Sequence, residues 1–235
     1  MKARSFTKIP TLVLGIAVLM NLLLVAPSGA KAQTARPPVI SLKAFTSVSE
    51  WVLDITWTAK DAFEDRDSNA GLELTATARF ILKQSDKTDA WGRWHVERAQ
   101  SGNLVMKSFL INKNDHSRTE WKPTGSMPDA GASFDVGGNT PGYWLLVNAA
   151  FPIKVLNPLM GSIDSGVALQ TDDVEESPRV FCTGPLPATG TTIHGSRVIL
   201  SEVPPFGAGK LPRTRLGIQY VLRPMAELAP LVPKK

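Results

Sequence analysis

At 235 residues, 43 % of them hydrophobic and 20 % charged, the chain is long enough to bury one sizeable core and has the composition of a folded domain rather than a disordered one. Its 26 basic and 21 acidic residues give +5 overall, but Lys2, Arg4, Lys8 and Lys31 fall in the first 32 residues, leaving 22 against 21 and a net charge of about +1 in the rest. That balance excludes a generally basic, nucleic-acid-binding protein, and a lone cysteine, Cys182, excludes a disulfide within the chain.

The N-terminus predicts a secretory signal peptide over residues 1–32. Three basic residues precede the apolar run Thr11 to Val25, and the small-residue segment Ala30-Lys31-Ala32 places cleavage before Gln33. The run is about 15 residues long and interrupted by Asn21, short of the roughly 20 that a permanent membrane helix needs. The expectation is an exported protein, periplasmic or secreted, with no transmembrane segment after cleavage and one all-β domain over residues 33–235.

Strands follow in close order. Val39 to Val48 reads as the first. In Trp51 to Thr58, Trp51, Leu53, Ile55 and Trp57 share one face while Val52, Asp54, Thr56 and Thr58 share the other, the period of two of a half-buried strand. Leu72 to Lys83 repeats the pattern, with Leu72, Leu74, Ala76, Ala78, Phe80 and Leu82 against Glu73, Thr75, Thr77, Arg79, Ile81 and Lys83. Trp91 to Ala99, a turn at Ser101-Gly102-Asn103, and Leu104 to Lys113 extend this into an antiparallel meander.

Residues 123–142 contain eight glycines and prolines, which no regular element of that length tolerates, so they read as an excursion with at most a short edge strand at Ser133 to Val136. Beyond it lie predicted strands at Tyr143 to Val155, Ser162 to Leu169, Arg179 to Thr183, Thr191 to Ser201 and Thr214 to Leu222, with a tight turn at Asn157-Pro158 and a short tail from Met225 to Leu231. No apolar helical period is sustained. About ten antiparallel strands with Gly/Pro-rich connections predict a β-sandwich, with an up-and-down barrel as the alternative.

Chemistry-bearing residues are few. Asp61, Asp65, Asp67 and Asn69 place oxygen ligands at alternate positions, the pattern a calcium loop uses to aim carboxylates at a hard cation. The spacing departs from the helix-loop-helix type, because Gly71 is one place late and Ala76 stands where a bidentate Glu belongs. Asp115-His116-Ser117 reads as a turn rather than a triad, and His95 and Glu97 as a metal pair lacking a third ligand. Cys182 and His194 bracket a hairpin-length span that offers a thiol and a base. Ile193-His194-Gly195-Ser196 superficially resembles the histidine segment of L,D-transpeptidases, but in that family the cysteine follows the histidine, and here none does.

Trp91-Gly92-Arg93-Trp94 is the ligand-binding candidate. An exposed Trp beside Arg is a stacking platform, and Trp91 and Trp94 have opposite parity, so one of them faces the core. Local charge gathers in an acidic loop, Asp172, Asp173, Glu175 and Glu176, and in a basic C-terminal end from Lys210 to Lys235. These features predict an exported, non-catalytic β-domain that binds a protein or carbohydrate partner or forms part of a cell-envelope structure. A barrel carrier of an apolar small molecule is the alternative, and a hydrolase or thiol enzyme around His194 or Cys182 ranks below it.

Overall fold

A computed structural model describes residues 42–125, 127–139, 141–173 and 182–228; residues 1–32, for which a signal peptide is predicted, lie outside them. Ten antiparallel strands make up nearly all of the described chain: β1 (Glu50–Glu64), β2 (Ser68–Lys87), β3 (Trp91–Asn112), β4 (Arg118–Pro123), β5 (Asp129–Gly137), β6 (Gly142–Asn157), β7 (Gly161–Gln170), β8 (Cys182–Pro185), β9 (Ile193–Ser201) and β10 (Thr214–Pro224). All ten belong to one hydrogen-bonded sheet. Its path runs β4-β6-β5-β3-β2-β1-β10-β9, with β7 and β8 both on the far side of β6.

The predicted antiparallel β class is therefore observed, as a single sheet folded over on itself rather than two separate ones. Two contacts show the fold-over. The Trp57 indole on β1 donates to the Gln170 carbonyl at the end of β7 (3.3 Å), and the hydroxyls of Tyr143 on β6 and Tyr220 on β10 meet at 2.9 Å. Among the described residues no ladder joins β9 to β7 or β8, so hydrogen bonding does not close a barrel there.

Alternation explains which face turns inward. Trp51, Leu53, Ile55 and Trp57 of β1, Leu72 to Leu82 of β2 at every second position, and Leu216, Ile218, Tyr220 and Leu222 of β10 are all buried in one continuous core. Burying a row of such side chains contributes roughly 1.5–3 kcal/mol apiece, and this removal of apolar surface drives the sheet to fold over.

Several elements differ from expectation. Residues 42–46 form a short helix, α1 (Leu42–Thr46), instead of the end of a strand, because Phe45 turns in to stack on Trp51 (6.1 Å, 11°). Ser101-Gly102-Asn103 is not a turn. Those residues pair with Arg79, Ala78 and Thr77 in mid-strand, and the turn-like composition marks the first of three register shifts between β2 and β3. Residues Gln100 and Glu97 on β3 and Ser85 on β2 are the extra ones, and such bulges bend the strands that carry them. Within the Gly/Pro-rich segment β5 is nine residues long and interior, laddered to β3 and β6 rather than at an edge.

Glycine has a packing role at Gly195. It lies opposite Tyr220 in the β9–β10 ladder, and a Cβ there would stand 2.1 Å from the Tyr220 ring. The tyrosine therefore lies across bare backbone to reach Tyr143. Gly195→Val is expected to lower unfolding stability by about 1–3 kcal/mol through overpacking. Urea denaturation checks this; an unchanged midpoint would refute the packing assignment.

Candidate functional site

With the inner face spent on the core, the outer face is where chemistry can occur. Of the predicted ligand-binding residues, Trp94 belongs to the core: it is 0 % exposed, donates to the Val48 carbonyl (2.8 Å), and packs on Trp51 and Phe134 with centroids 6.0 and 5.3 Å away. It is removed from the ligand-binding set because its parity points it inward over Gly92, where a Cβ would collide with its ring at 2.4 Å.

Trp91 has the opposite parity. It is 45 % exposed and lies against the half-buried Trp144 of β6, centroids 5.5 Å apart and planes within 26°. Gly137 sits beneath, its missing side chain letting the indole approach to 2.4 Å from where a Cβ would be. Beside the ring, Arg93 donates through Nε to Asp135 on β5 (2.9 Å), and this contact raises the guanidinium pKa. Trp91, Arg93, Asp135, Asp86 and Thr88 border a recess of about 170 Å³. Trp144 was missing from the predicted set. Its parity against Tyr143 and Leu145 was the available signal.

A larger feature crosses the outer face of β9, β10, β1, β2 and β3, a groove of about 860 Å³. Two cross-strand rungs floor it. One runs His194, Val221, Asp54, Arg79, Ser101, and the next runs Ser196, Gln219, Thr56, Thr77, Asn103. Asp54 lies between two guanidiniums. Arg79 Nε donates to its Oδ1 at 2.5 Å, and Arg223 reaches Oδ2 from the adjacent rung. The hydrogen bond to Asp54 holds the Arg79 pKa above its ordinary value. The bulge at Gln100 falls between Arg79 and Phe80, so the sheet bends beside this site.

The predicted calcium set does not converge. Asp61 accepts from Thr214, Asp65 Oδ1 caps the amides of Asp67 (2.9 Å) and Ser68 (2.6 Å), and Asn69 is a ladder residue opposite Glu64 and Ile111. A cation already serves the loop: Lys113 Nζ donates to Glu64 (2.7 Å) and to the Asp65 carbonyl (2.7 Å). Among the described residues no group of three or more His, Cys, Asp or Glu side chains is placed to hold a metal. His95 and Glu97 lose their shared face because Glu97 is a bulge residue, and it pairs with Lys83 at 3.4 Å. Asp115-His116-Ser117 is a turn. His116 has a φ of 58°, and Asp115 accepts from the Ser117 amide (2.9 Å), which holds its carboxyl below the usual range.

Cys182 and His194 do not form a pair. The thiol is buried inside the sheet, 3.8 Å from the Thr171 carbonyl, whereas His194 is exposed on the outer face. Asp172 and Asp173 of the predicted acidic loop are buried, Asp173 accepting from the Leu200 amide at 3.2 Å; Glu175, Glu176 and the last basic residues lie outside the described residues. No family model, no curated protein and no solved structure matches this chain.

Burial pushes the Cys182 thiol up, and burial together with the Tyr143 hydrogen bond pushes the Tyr220 hydroxyl up. In the unfolded chain these groups ionise near their ordinary values, about 8.5 and about 10, while the folded state keeps them neutral. Their contribution is thus complete below the unfolded values and is lost as pH rises past them. Urea midpoints are expected to fall above about pH 9, and Cys182 is expected to react with a thiol reagent only after unfolding. Rapid labelling of the native protein at neutral pH would show the burial assignment to be wrong.

Proposed function

We propose that this chain is an exported, non-catalytic β-domain that binds saccharide, with the Trp91–Trp144 stack as its platform. The observation that carries the reading is an exposed indole braced from beneath by Trp144 and Gly137 and flanked by a paired Arg93 and Asp135. A pyranose with equatorial hydroxyls presents a face of C–H groups, which suits the negative face of an indole. Its rim of hydroxyls needs both donors and acceptors, and the recess offers a guanidinium, two carboxylates and a hydroxyl. The rigid strands beneath lower the ordering cost of binding.

The competing readings gain less support. An apolar carrier needs an open interior, but Trp51, Trp94 and Phe134 fill this one with centroids 5.2 to 6.0 Å apart. A thiol enzyme needs its nucleophile and base together, and Cys182 and His194 lie on opposite faces.

Cellotetraose and chitotetraose, whose β-linked rings expose flat C–H faces, are the probes. In nitrogen-15 correlation spectra the indole signals of Trp91 and Trp144 are expected to shift on titration, while those of Trp57 and Trp94, bonded inside the core, stay in place. Trp91→Ala is expected to weaken binding by about tenfold or more with the fold intact, the scale of losing one aromatic stack. Equal binding by the variant would sink the assignment. Export is checked separately by expression in a secreting host, where the mature chain is expected to begin at Gln33.

A further inference from the structure

The geometry points to a second, oxyanion-binding site in the outer-face groove, in which Arg79 grips a carboxylate or sulfate group of the ligand and Asp54 holds Arg79 in place. It rests on the groove and not on the tryptophan platform. A guanidinium has five N–H donors in a planar fork, and its two terminal nitrogens match the two oxygens of an oxyanion. Here Asp54 takes the Nε–H of Arg79, at 2.5 Å, and no terminal nitrogen of Arg79 has a partner among the described residues. Among the described residues the bidentate edge is therefore open, and Arg79 lines the groove.

Asp54 is itself fixed from two sides. Its other oxygen accepts from Arg223, which approaches from β10 while Arg79 stands on β2. A carboxylate between two guanidiniums leaves one net positive charge, so the cluster attracts an anion while locking the rotamer of the arginine that meets it. The arginine side chains are 39 % and 32 % exposed and Asp54 29 %, open enough for a ligand and covered enough for directed hydrogen bonds. Around the fork, Thr77, Ser101, Asn103 and Gln219 offer hydroxyls and amides to the rest of a polar molecule. Asp54 is thus a positioning residue, and Arg79 the binding one.

This arrangement separates two explanations that would otherwise look alike. If Asp54 merely added negative charge to the groove, Asp54→Asn would raise the local potential and tighten anion binding. As a positioning residue its loss frees Arg79 to move, and binding weakens despite the added positive charge.

Calorimetric titrations, followed in parallel by nitrogen-15 correlation spectra, with tetragalacturonate and with a sulfated tetrasaccharide, and with cellotetraose as the uncharged control, test the site. At least one charged probe is expected to bind with shifts at the Thr77 and Ser101 amides, and which one binds tells carboxylate from sulfate. Arg79→Lys, which keeps the charge but removes the fork, is expected to weaken it by about tenfold. Asp54→Asn is expected to weaken it several-fold, while Trp91→Ala leaves the Thr77 and Ser101 shifts unchanged. Asp54→Glu, which keeps the charge and displaces the guanidinium, is the second variant should Asp54→Asn not fold, and it too is expected to bind less tightly. Unchanged or tighter binding by the Asp54 variant, full binding by Arg79→Lys, or no charged probe moving Thr77 and Ser101 would overturn the site without touching the Trp91 assignment.

Discussion

Trp51 is the contact on which the rest of the sheet depends. Its ring stacks on Phe45 of α1 and meets Trp94 of β3 and Phe134 of β5 edge to face, at 6.0 and 5.2 Å, so one side chain ties together four elements that are not all neighbours in the ladder. It does so at a cost, because its indole N–H is buried with no hydrogen-bond partner among the described residues. An unmet buried donor costs about 1–3 kcal/mol. Each edge-to-face pair returns about 0.5–1.5 kcal/mol beyond its buried area, and the approach of ring edges to π faces is the kind of contact that softens a missing acceptor. Aromatic packing, not backbone pairing, makes one sheet fold over on itself here.

That constraint decides where function can sit. Once alternate residues of every long strand are committed inward, most outward residues are left outside that core, the buried pair Val52 and Ile81 being exceptions, and the cross-strand register determines which of them meet. Asp54 with Arg79 and Asp135 with Arg93 are both directly opposite pairs, and in both the aspartate takes the arginine's Nε. The same device occurs twice on one face. In each case a carboxylate supplied by the neighbouring strand orients a guanidinium without using its terminal fork, which is how a sheet can hold a long, flexible side chain ready for a ligand.

Much of the fold was legible because it rests on local alternation. The inward faces of β1, β2 and β10 could be read residue by residue, and the opposite parity of Trp91 and Trp94 foretold that one is buried. What failed was what local pattern cannot carry. Ser101-Gly102-Asn103 has the composition of a turn, yet in a strand of 22 residues it accommodates a bulge, and only the partner strand distinguishes the two. β5 looked like an edge because its two glycines and the prolines flanking it weaken any strand signal, but tertiary pairing on both sides overrides the propensity. The groove was invisible for a related reason. Its parts, Asp54, Arg79, Ser101, His194 and Gln219, are spread over 166 positions of sequence and become neighbours only through four successive ladders.

The predicted calcium ligands are drawn apart for a different physical reason. Acidic residues at alternate positions near a turn satisfy the composition of a cation loop, but a carboxylate can accept from an amide or a lysine as well as from a metal. Asp65 spends its side chain on the turn's own amides, and Lys113, arriving from the end of β3, brings a positive charge to the oxygens of Glu64 and Asp65. A divalent ion would have to displace that ammonium and recruit Asp61, which is bonded to Thr214 on another strand. The same logic runs the other way in the groove. There each oxygen of the carboxylate already accepts from an arginine and the terminal nitrogens of Arg79 meet no partner among the described residues, so the arrangement favours an anion over a cation.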